Sequence, residues 1–444
     1  MRPAVHTPSD GYLPRIADGL LADLLERSGA VCIKGPKWCG KTATAGRVAA
    51  STVFLQDPDR SPDLLELASL KPSALLDGEE PVLIDEWQMA PQLWDAVRFA
   101  VDRGSGRGRF ILTGSATPGR TELPAHTGVG RIATLDMRTM SLYETGESTG
   151  EVSLAALFDG ASAGASAADG APDAGSAPEV AAVTSVDVDD VAFLACRGGW
   201  PEAVCETDEA IALAMARDYV TELLEADIEA MDGIRRNKTW MRSLMRSLAR
   251  NTSTQASLAT VAADMAGEPP STDTLADYAD ALRRAWVTED LEAWNPRLRS
   301  KTAVRTSPTR HFADPSIAAA MLSATPEKLL GDFETFGLLF ESLVVHDLRV
   351  YAQGLGGEVR HYRDKTGLES DAVVICGDGR WAPIEVKLGA RRIDEAARHL
   401  VKLADRVDCD REGVPSFLMV VTATQTAYRR ADGVIVAPLA VLGP

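Results

Sequence analysis

Gly35-Pro36-Lys37-Trp38-Cys39-Gly40-Lys41-Thr42 follows an apolar run, Ala30–Lys34, and precedes a helix-like stretch of small residues. A GxxxxGK[ST] loop between a strand and a helix commits this part of the chain to an α/β sheet with an anion-binding turn at its edge. Gly35 and Gly40 let backbone N–H groups curl around phosphate oxygens, and the helix starting at Lys41 aims its positive end at them. The loop residues Pro36, Lys37, Trp38 and Cys39 complete the cradle. Lys41 is expected to bridge the β- and γ-phosphates, and the Thr42 hydroxyl to ligate magnesium.

Two further apolar runs end in polar residues. Val82–Ile84 leads into Asp85 and Glu86, and Arg109–Leu112 leads into Thr113, Gly114 and Ser115. The C-terminal tips of parallel strands gather along one sheet edge, where ligands bind. Asp85 is then placed to hold Mg2+ of a bound ATP, Glu86 to polarise the attacking water, and Thr113 or Ser115 to touch the γ-phosphate. Arg131 opens another strand-like run. It reads either as a charge-neutralising arginine for its own or a neighbouring site, or as a surface arginine. Strands are expected at Ala30–Lys34, Val53–Gln56, Val82–Asp85, Arg109–Thr113 and Arg131–Leu135, with helices between them.

A chain of 444 residues exceeds one compact core. The expected division is residues 1–150 for the nucleotide-binding unit and 151–190 for a flexible insert. Residues 191–320 form a helical region, and 321–444 a second α/β unit. The insert centres on an Ala/Gly/Ser/Asp/Pro-rich run, 159–186, with few large apolar side chains to offset its ordering entropy. No run of about 18 apolar residues exists, so no membrane span is expected. The first residues, MRPAVHTPSDGY, lack an apolar signal core, and six cysteines without paired spacing suit a reducing, cytoplasmic setting. A net charge of −18 argues against coating nucleic acid by overall charge.

Within that acidic chain, residues 235–310 hold thirteen basic residues against eight acids. Helices at Ser257–Met265 and Ser271–Ala285, then an apolar pair of runs, read as a helix-turn-helix with a wing. Ser271 is the expected N-cap. DNA is one candidate partner, contacted by Arg297, Arg299, Lys301 and Arg305 of the wing loop. A protein partner is the other, because Asp273, Asp277 and Asp280 on the second helix would repel phosphates.

In the tail, a helix Pro326–Gln353 carries Glu341. Strands follow at Val359–Arg363, Ser370–Ile375, Ala382–Lys387 and Phe417–Thr422, with a helix at Ile393–Val407. Glu385 and Lys387 share a face by the two-residue period of a strand, and Asp371 on the hairpin partner can sit beside Glu385. Two carboxylates and a lysine suit metal-dependent phosphodiester cleavage. A surface salt-bridge cluster is the alternative.

The ordered series YLPRI (Tyr12–Ile16), GPKWCGKT, LIDEWQ, FILTGS, GRI, ETG, RGGWPEA (Arg197–Ala203), FADPSI (Phe312–Ile317), GLLFES and IEVK resembles the prokaryotic AAA-type ATPases. Their C-terminal region is a domain of unknown function (4143). Members often carry arginine where this chain has Lys37. The resemblance implies a P-loop NTPase sheet ordered as in AAA proteins, Glu86 as catalytic base and Arg131 as the arginine of the site. The tail is similar to the PD-(D/E)xK superfamily of restriction-endonuclease-like folds. That implies Asp371, Glu385 and Lys387 as its catalytic set, with Asp371, Glu385 and an accessory Glu341 as metal ligands. Three functional readings stand: an ATPase acting on nucleic acid with a nuclease-like tail, an ATP-dependent docking scaffold with an inert tail, and a protein remodeller. Homo-oligomerisation is compatible with each.

Overall fold

A computed structural model describes residues 11–114, 129–165, 180–227, 234–267, 269–295, 307–407 and 412–444; for 161–165, 226 and 227 it describes the backbone alone. Ser115, Arg297, Arg299, Lys301 and Arg305 therefore lie outside the described residues.

The first apolar runs form five strands: β1 (Ala30–Lys34), β2 (Ser51–Phe54), β3 (Val82–Asp85), β4 (Phe110–Gly114) and β5 (Ile132–Asp136). They pair in parallel in the order β2-β3-β4-β1-β5. The central strands are apolar throughout because both faces are covered. Alternate residues divide between two cores. Cys32, Ile84 and Leu112 meet Leu93 and Val97 on one face. Val31, Ile33, Leu83 and Ile111 meet Leu21 and Leu24 on the other. Parallel register brings Lys34, Phe54, Asp85, Gly114 and Asp136 to one edge.

Residues 151–190, expected as a flexible insert, hold more regular structure than their composition suggests. Val152–Ser153 (β6) pairs with the C-terminal Leu442–Gly443 (β14), and a helix runs over Leu154–Ala165. Ala181–Val183 (β7) is the edge strand of a second sheet. The apolar side chains Leu154, Leu157, Phe158, Val180 and Ala182, sparse but regularly placed, are buried and anchor these pieces. Residues 166–179 lie outside the described residues.

That second sheet has seven strands. Besides β7 they are β8 (Glu358–Arg363), β9 (Glu369–Ile375), β10 (Trp381–Lys387), β11 (Met419–Thr422), β12 (Thr426–Arg429) and β13 (Ile435–Pro438). Their order is β7-β12-β13-β11-β10-β9-β8. Strands β8, β9 and β10 form an antiparallel meander, and β11 lies parallel to β10 after the crossover helix Ile393–Arg406. The helix expected over Pro326–Gln353 is two helices, Pro326–Gly331 and Phe333–Gly354. Asp332 breaks the run and caps the second helix through Thr335 N–H.

Along the chain between β7 and β8 lie the helices Lys238–Arg250, Leu258–Ala263 and Thr272–Arg284, the last capped by Ser271. A short antiparallel ribbon follows, with pairs Thr288↔Phe312 and Leu291↔Thr309. Helix Glu209–Glu222 continues as a wider turn, Leu223–Asp227.

Asp314, fully buried, ties the parts together. Its carboxylate accepts from Thr139 Oγ1 at 2.7 Å, Gly199 N at 2.9 Å and Ser316 N at 2.9 Å, and from the Ser316 hydroxyl. Gly198 has φ 74°, and a Cβ there would strike this carboxylate. Asp314→Ala strands several buried donors at once, each costing about 1–3 kcal/mol. The expected outcome is a fall in the thermal midpoint of at least several degrees, read by circular dichroism.

Candidate nucleotide-binding and tail sites

The phosphate loop takes the backbone its glycines permit. Gly40 has φ 99°, and Trp38, the residue without that freedom, is also left-handed at φ 64°. Gly35 packs so closely on the Met137 carbonyl that a Cβ would collide with it. Arg15, from the YLPRI segment, holds the loop from outside, donating to the carbonyls of Cys39 and Arg138 at 2.8 Å each. Lys41 is buried and folds back on its own loop, donating to the carbonyls of Gly35 at 3.0 Å and Pro36 at 2.6 Å. Trp38 projects outward, half exposed, with its ring 5.7 Å from that of Tyr219.

Asp85 sits 1% exposed at the β3 tip. Its Oδ1 accepts from Thr42 Oγ1 at 2.8 Å and Thr113 Oγ1 at 2.5 Å, and its Oδ2 from Gln56 Nε2 at 3.3 Å. These donors are neutral hydroxyl and amide groups. A buried carboxylate among neutral donors, beside a threonine hydroxyl, suits a divalent cation. Glu86 follows in a left-handed conformation, φ 55°. Burial pushes its carboxyl above the usual range, opposed by the nearby charge of Lys41, raised further by Asp85 and lowered by Gln88 and Lys37. The structure thus brings together Gly35, Gly40, Lys41, Thr42, Asp85, Glu86 and Thr113. Sequence reasoning missed Gln56 and Arg15. Gln56 follows the tip of β2, beside β3, so strand register was the signal for it.

Arg131 is placed elsewhere. It precedes β5, its carbonyl accepts from Ala30 N, and its guanidinium pairs with Asp102 at 2.7 Å. That is the opposite end of the strands from the phosphate loop, about 16 Å away along five residues of strand. The reading in which Arg131 serves its own chain's site is therefore corrected; a neighbouring copy's site and the plain surface arginine are left to it.

In the tail, Lys387 Nζ lies 2.6 Å from Glu385 Oε2 and 3.2 Å from Asp371 Oδ2, and Asp371 also accepts from Val386 N at 2.7 Å. Glu341 faces them from the long helix. Burial, and then the Asp371 charge, drive it far above the carboxylate range. Burial and Asp371 likewise raise Glu385. Burial alone would lower Lys387, but Asp371 and Glu385 hold it cationic. Glu341 and Asp371 line a polar cavity of about 250 Å³ with Gln255, His361 and Arg363. Among the described residues no group of three His, Cys, Asp or Glu side chains stands ready to hold a metal. For the expected set Glu341, Asp371 and Glu385 the physical reason is Lys387, whose ammonium occupies the space between two of its carboxylates.

Among the described residues of 235–310, most basic side chains pair with acids of this chain. Arg236 pairs with Asp277, Lys238 and Arg242 with Glu225, and Arg250 with Asp264. Arg283 and Arg284 pair with Asp280, and Arg310 with Asp290. No helix among the described residues is long and apolar enough to cross a membrane.

With this geometry in view, three segments match known families. Residues 27–146 match an AAA domain, residues 188–328 a domain of unknown function (DUF8612), and residues 336–442 another (DUF4143). The N-terminal parallel sheet is accordingly a P-loop NTPase-like fold whose residues are similar to the AAA domain, and the tail is similar to DUF4143. Uncharacterized proteins of Mycobacterium bovis and Mycobacterium tuberculosis are each 25% identical over 338 residues. The match covers 75% of this chain and 65% of each relative's own length. Among solved structures, a Walker-type ATPase of Pyrococcus abyssi aligns with TM-score 0.42 and 14% identity, covering 72% of this chain and 99% of that one. A RuvB variant of Thermotoga maritima aligns with TM-score 0.28 and 16% identity, covering 64% of this chain and 92% of that one.

Proposed function

We propose that the chain binds Mg2+-ATP at the β1–β3–β4 edge and hydrolyses it. The convergence of Thr42, Thr113 and Gln56 on Asp85, beside the glycine loop, carries this reading. Bound magnesium supplies charge neutralisation for the phosphates. The chain's own residues do the rest. Loop N–H groups and the Lys41 amine, released from the carbonyls of Gly35 and Pro36, grip the phosphates. Thr42 and Asp85 hold the cation. Thr113 orients Asp85 and borders the γ-phosphate position. Glu86 takes a proton from the attacking water as general base.

The reading for the tail is a nuclease-like module through which ATP turnover is coupled to nucleic-acid binding or processing. Its support is the order of elements from the long helix through β8, β9, β10 and the crossover helix to β11. The meeting of Asp371, Glu385 and Lys387 supports it as well. One observation favours a second reading, a docking scaffold with a catalytically inert tail: the Lys387 amine contacts both Asp371 and Glu385, so a metal ion would have to compete with it for them. The internal pairing of the basic residues points the same way.

Lys41→Ala should weaken Mg2+-ATP binding at least tenfold by calorimetry, the scale of one lost charge-assisted contact of about 1.5–3 kcal/mol. Glu86→Gln should bind ATP as tightly as the wild type while turnover falls on the order of 10²–10⁴-fold. Normal hydrolysis by Glu86→Gln removes Glu86 from the base role. For the tail, wild-type protein with Mg2+ or Mn2+ should nick single- or double-stranded DNA or RNA, and Lys387→Ala should not. Intact substrates in every lane select the scaffold.

A further inference from the structure

Gln88 closes the LIDEWQ run and enters the site described above only as a neighbour that lowers the Glu86 carboxyl. It lies on the short turn Trp87–Met89, which the β3 tip enters through the left-handed Glu86. The turn is fixed from both sides. Met89 N donates to Glu86 O at 2.9 Å and Ala90 N to Trp87 O at 3.0 Å. Trp87 is buried, with its ring 4.9 Å from that of Trp94. Gln88 is thereby held with its amide against two residues of the site. Its Nε2 donates to Glu86 Oε2. The carboxylate only accepts, so this assignment of the amide's two ends is the one its partner allows. Its Oε1 is buried, without a hydrogen-bond partner among the described residues, and packs on Gly114 at the β4 tip. A Cβ at Gly114 would collide with that Oε1 and stand 3.2 Å from Trp87 Nε1.

A buried acceptor left unpaired is unfavourable, so this side chain is held there by what its other end does. We propose that Gln88 is a positioning residue for ATP hydrolysis: its amide, wedged against Gly114, fixes the Glu86 carboxylate in the orientation from which it acts on the attacking water. The proposal rests on the ATPase reading and deepens it. It also gives Gly114 a reason to lack a side chain that is not conformational. Its φ is not left-handed, so alanine is compatible with the backbone there, and the Gln88 amide is the main obstacle, with Trp87 Nε1 a tight second neighbour.

The test compares Gln88→Ala and Gly114→Ala with the wild type, alone and in a Glu86→Gln background. Readouts are steady-state turnover, Mg2+-ATP affinity by calorimetry, and amide hydrogen exchange of residues 86–90 in the nucleotide-free protein. Each single variant should lose about 10–100-fold in turnover, the scale typical of an orienting partner, with affinity unchanged within about threefold. Exchange at residues 86–90 should quicken in both. In the Glu86→Gln background the further loss should be under about twofold, because a group that acts through Glu86 has nothing left to orient. Gly114→Ala leaves Gln88 itself in place, so a folding failure of one variant does not silence the other. The proposal is overturned if both variants turn over at the wild-type rate. It is also overturned if they lose ATP affinity in parallel with turnover, or lose as much again without Glu86. A wild type that binds no ATP overturns the underlying reading and this one with it. A wild type that hydrolyses beside fully active variants overturns this one alone.

Discussion

The buried carboxylate of Asp85 organises the candidate nucleotide site. It can be buried because three elements bring it donors: the phosphate-loop helix supplies Thr42, β2 leads to Gln56, and β4 ends in Thr113. Each donor depends on strand order. With β3 between β2 and β4, and β4 next to β1, parallel register places all of these side chains at one edge within hydrogen-bonding reach. A slip of one residue in β3 would turn Asp85 to the opposite face and bury it unpaired. The fold and the site are thus specified by the same alternation of apolar residues.

The five strands of the first sheet and β8 to β11 of the second were legible because long apolar runs bounded by turn residues leave few other choices; β7, β12 and β13, all short, were not read. The phosphate loop was legible because its chemistry is local: eight consecutive residues carry glycine freedom, lysine charge and hydroxyl together. What stayed hidden was non-local. Nothing in the neighbourhood of Arg131 says that it lies at the end of its strand remote from the site, since that follows from parallel pairing with β1. Residues 151–190 look unable to bury surface by composition, yet a few apolar side chains, Phe158 and Leu154 among them, suffice when a preformed core receives them. Asp332 reads as one more polar residue within a helical pattern until its side chain is seen capping the helix that follows.

In the tail, geometry and charge pull in opposite directions. The hairpin β9–β10 puts Asp371 and Glu385 together as the spacing suggested, and burial raises the cost of their like charge. The chain answers with Lys387, whose ammonium balances one unit of that charge, while burial and the Asp371 charge still drive the Glu341 carboxyl well above the ordinary range. A divalent cation could compete only by displacing the lysine or by using oxygens on the cavity side, so occupancy by metal and occupancy by Lys387 are alternatives.

The two sites meet through one segment, Asp136–Leu142. Its Met137 carbonyl packs on Gly35, and Met137 N donates to Lys34 O at 2.7 Å. Its next residues engage the long helix. Gln353 Nε2 donates to Asp136 O at 2.7 Å, and Arg138 to Gln353 Oε1 at 3.0 Å. Thr139 Oγ1 lies 2.9 Å from His346 Nε2, and Leu142 N donates to Asp347 at 3.0 Å. Arg138 is further locked by Glu289. Burial alone would push that carboxyl up, but Arg138 and Arg349 hold it far below its ordinary value. The same helix carries Glu341 about three turns, or roughly 18 Å, from Gln353. Contact of this kind makes a rigid frame. It becomes coupling only if the segment has two arrangements that ATP and a tail ligand populate differently. The engaged side chains of Arg138, Asp314 and Asp347, the last two fully buried, make such a second arrangement costly. A small shift of the phosphate loop would therefore be passed on as movement of the whole frame rather than absorbed within it.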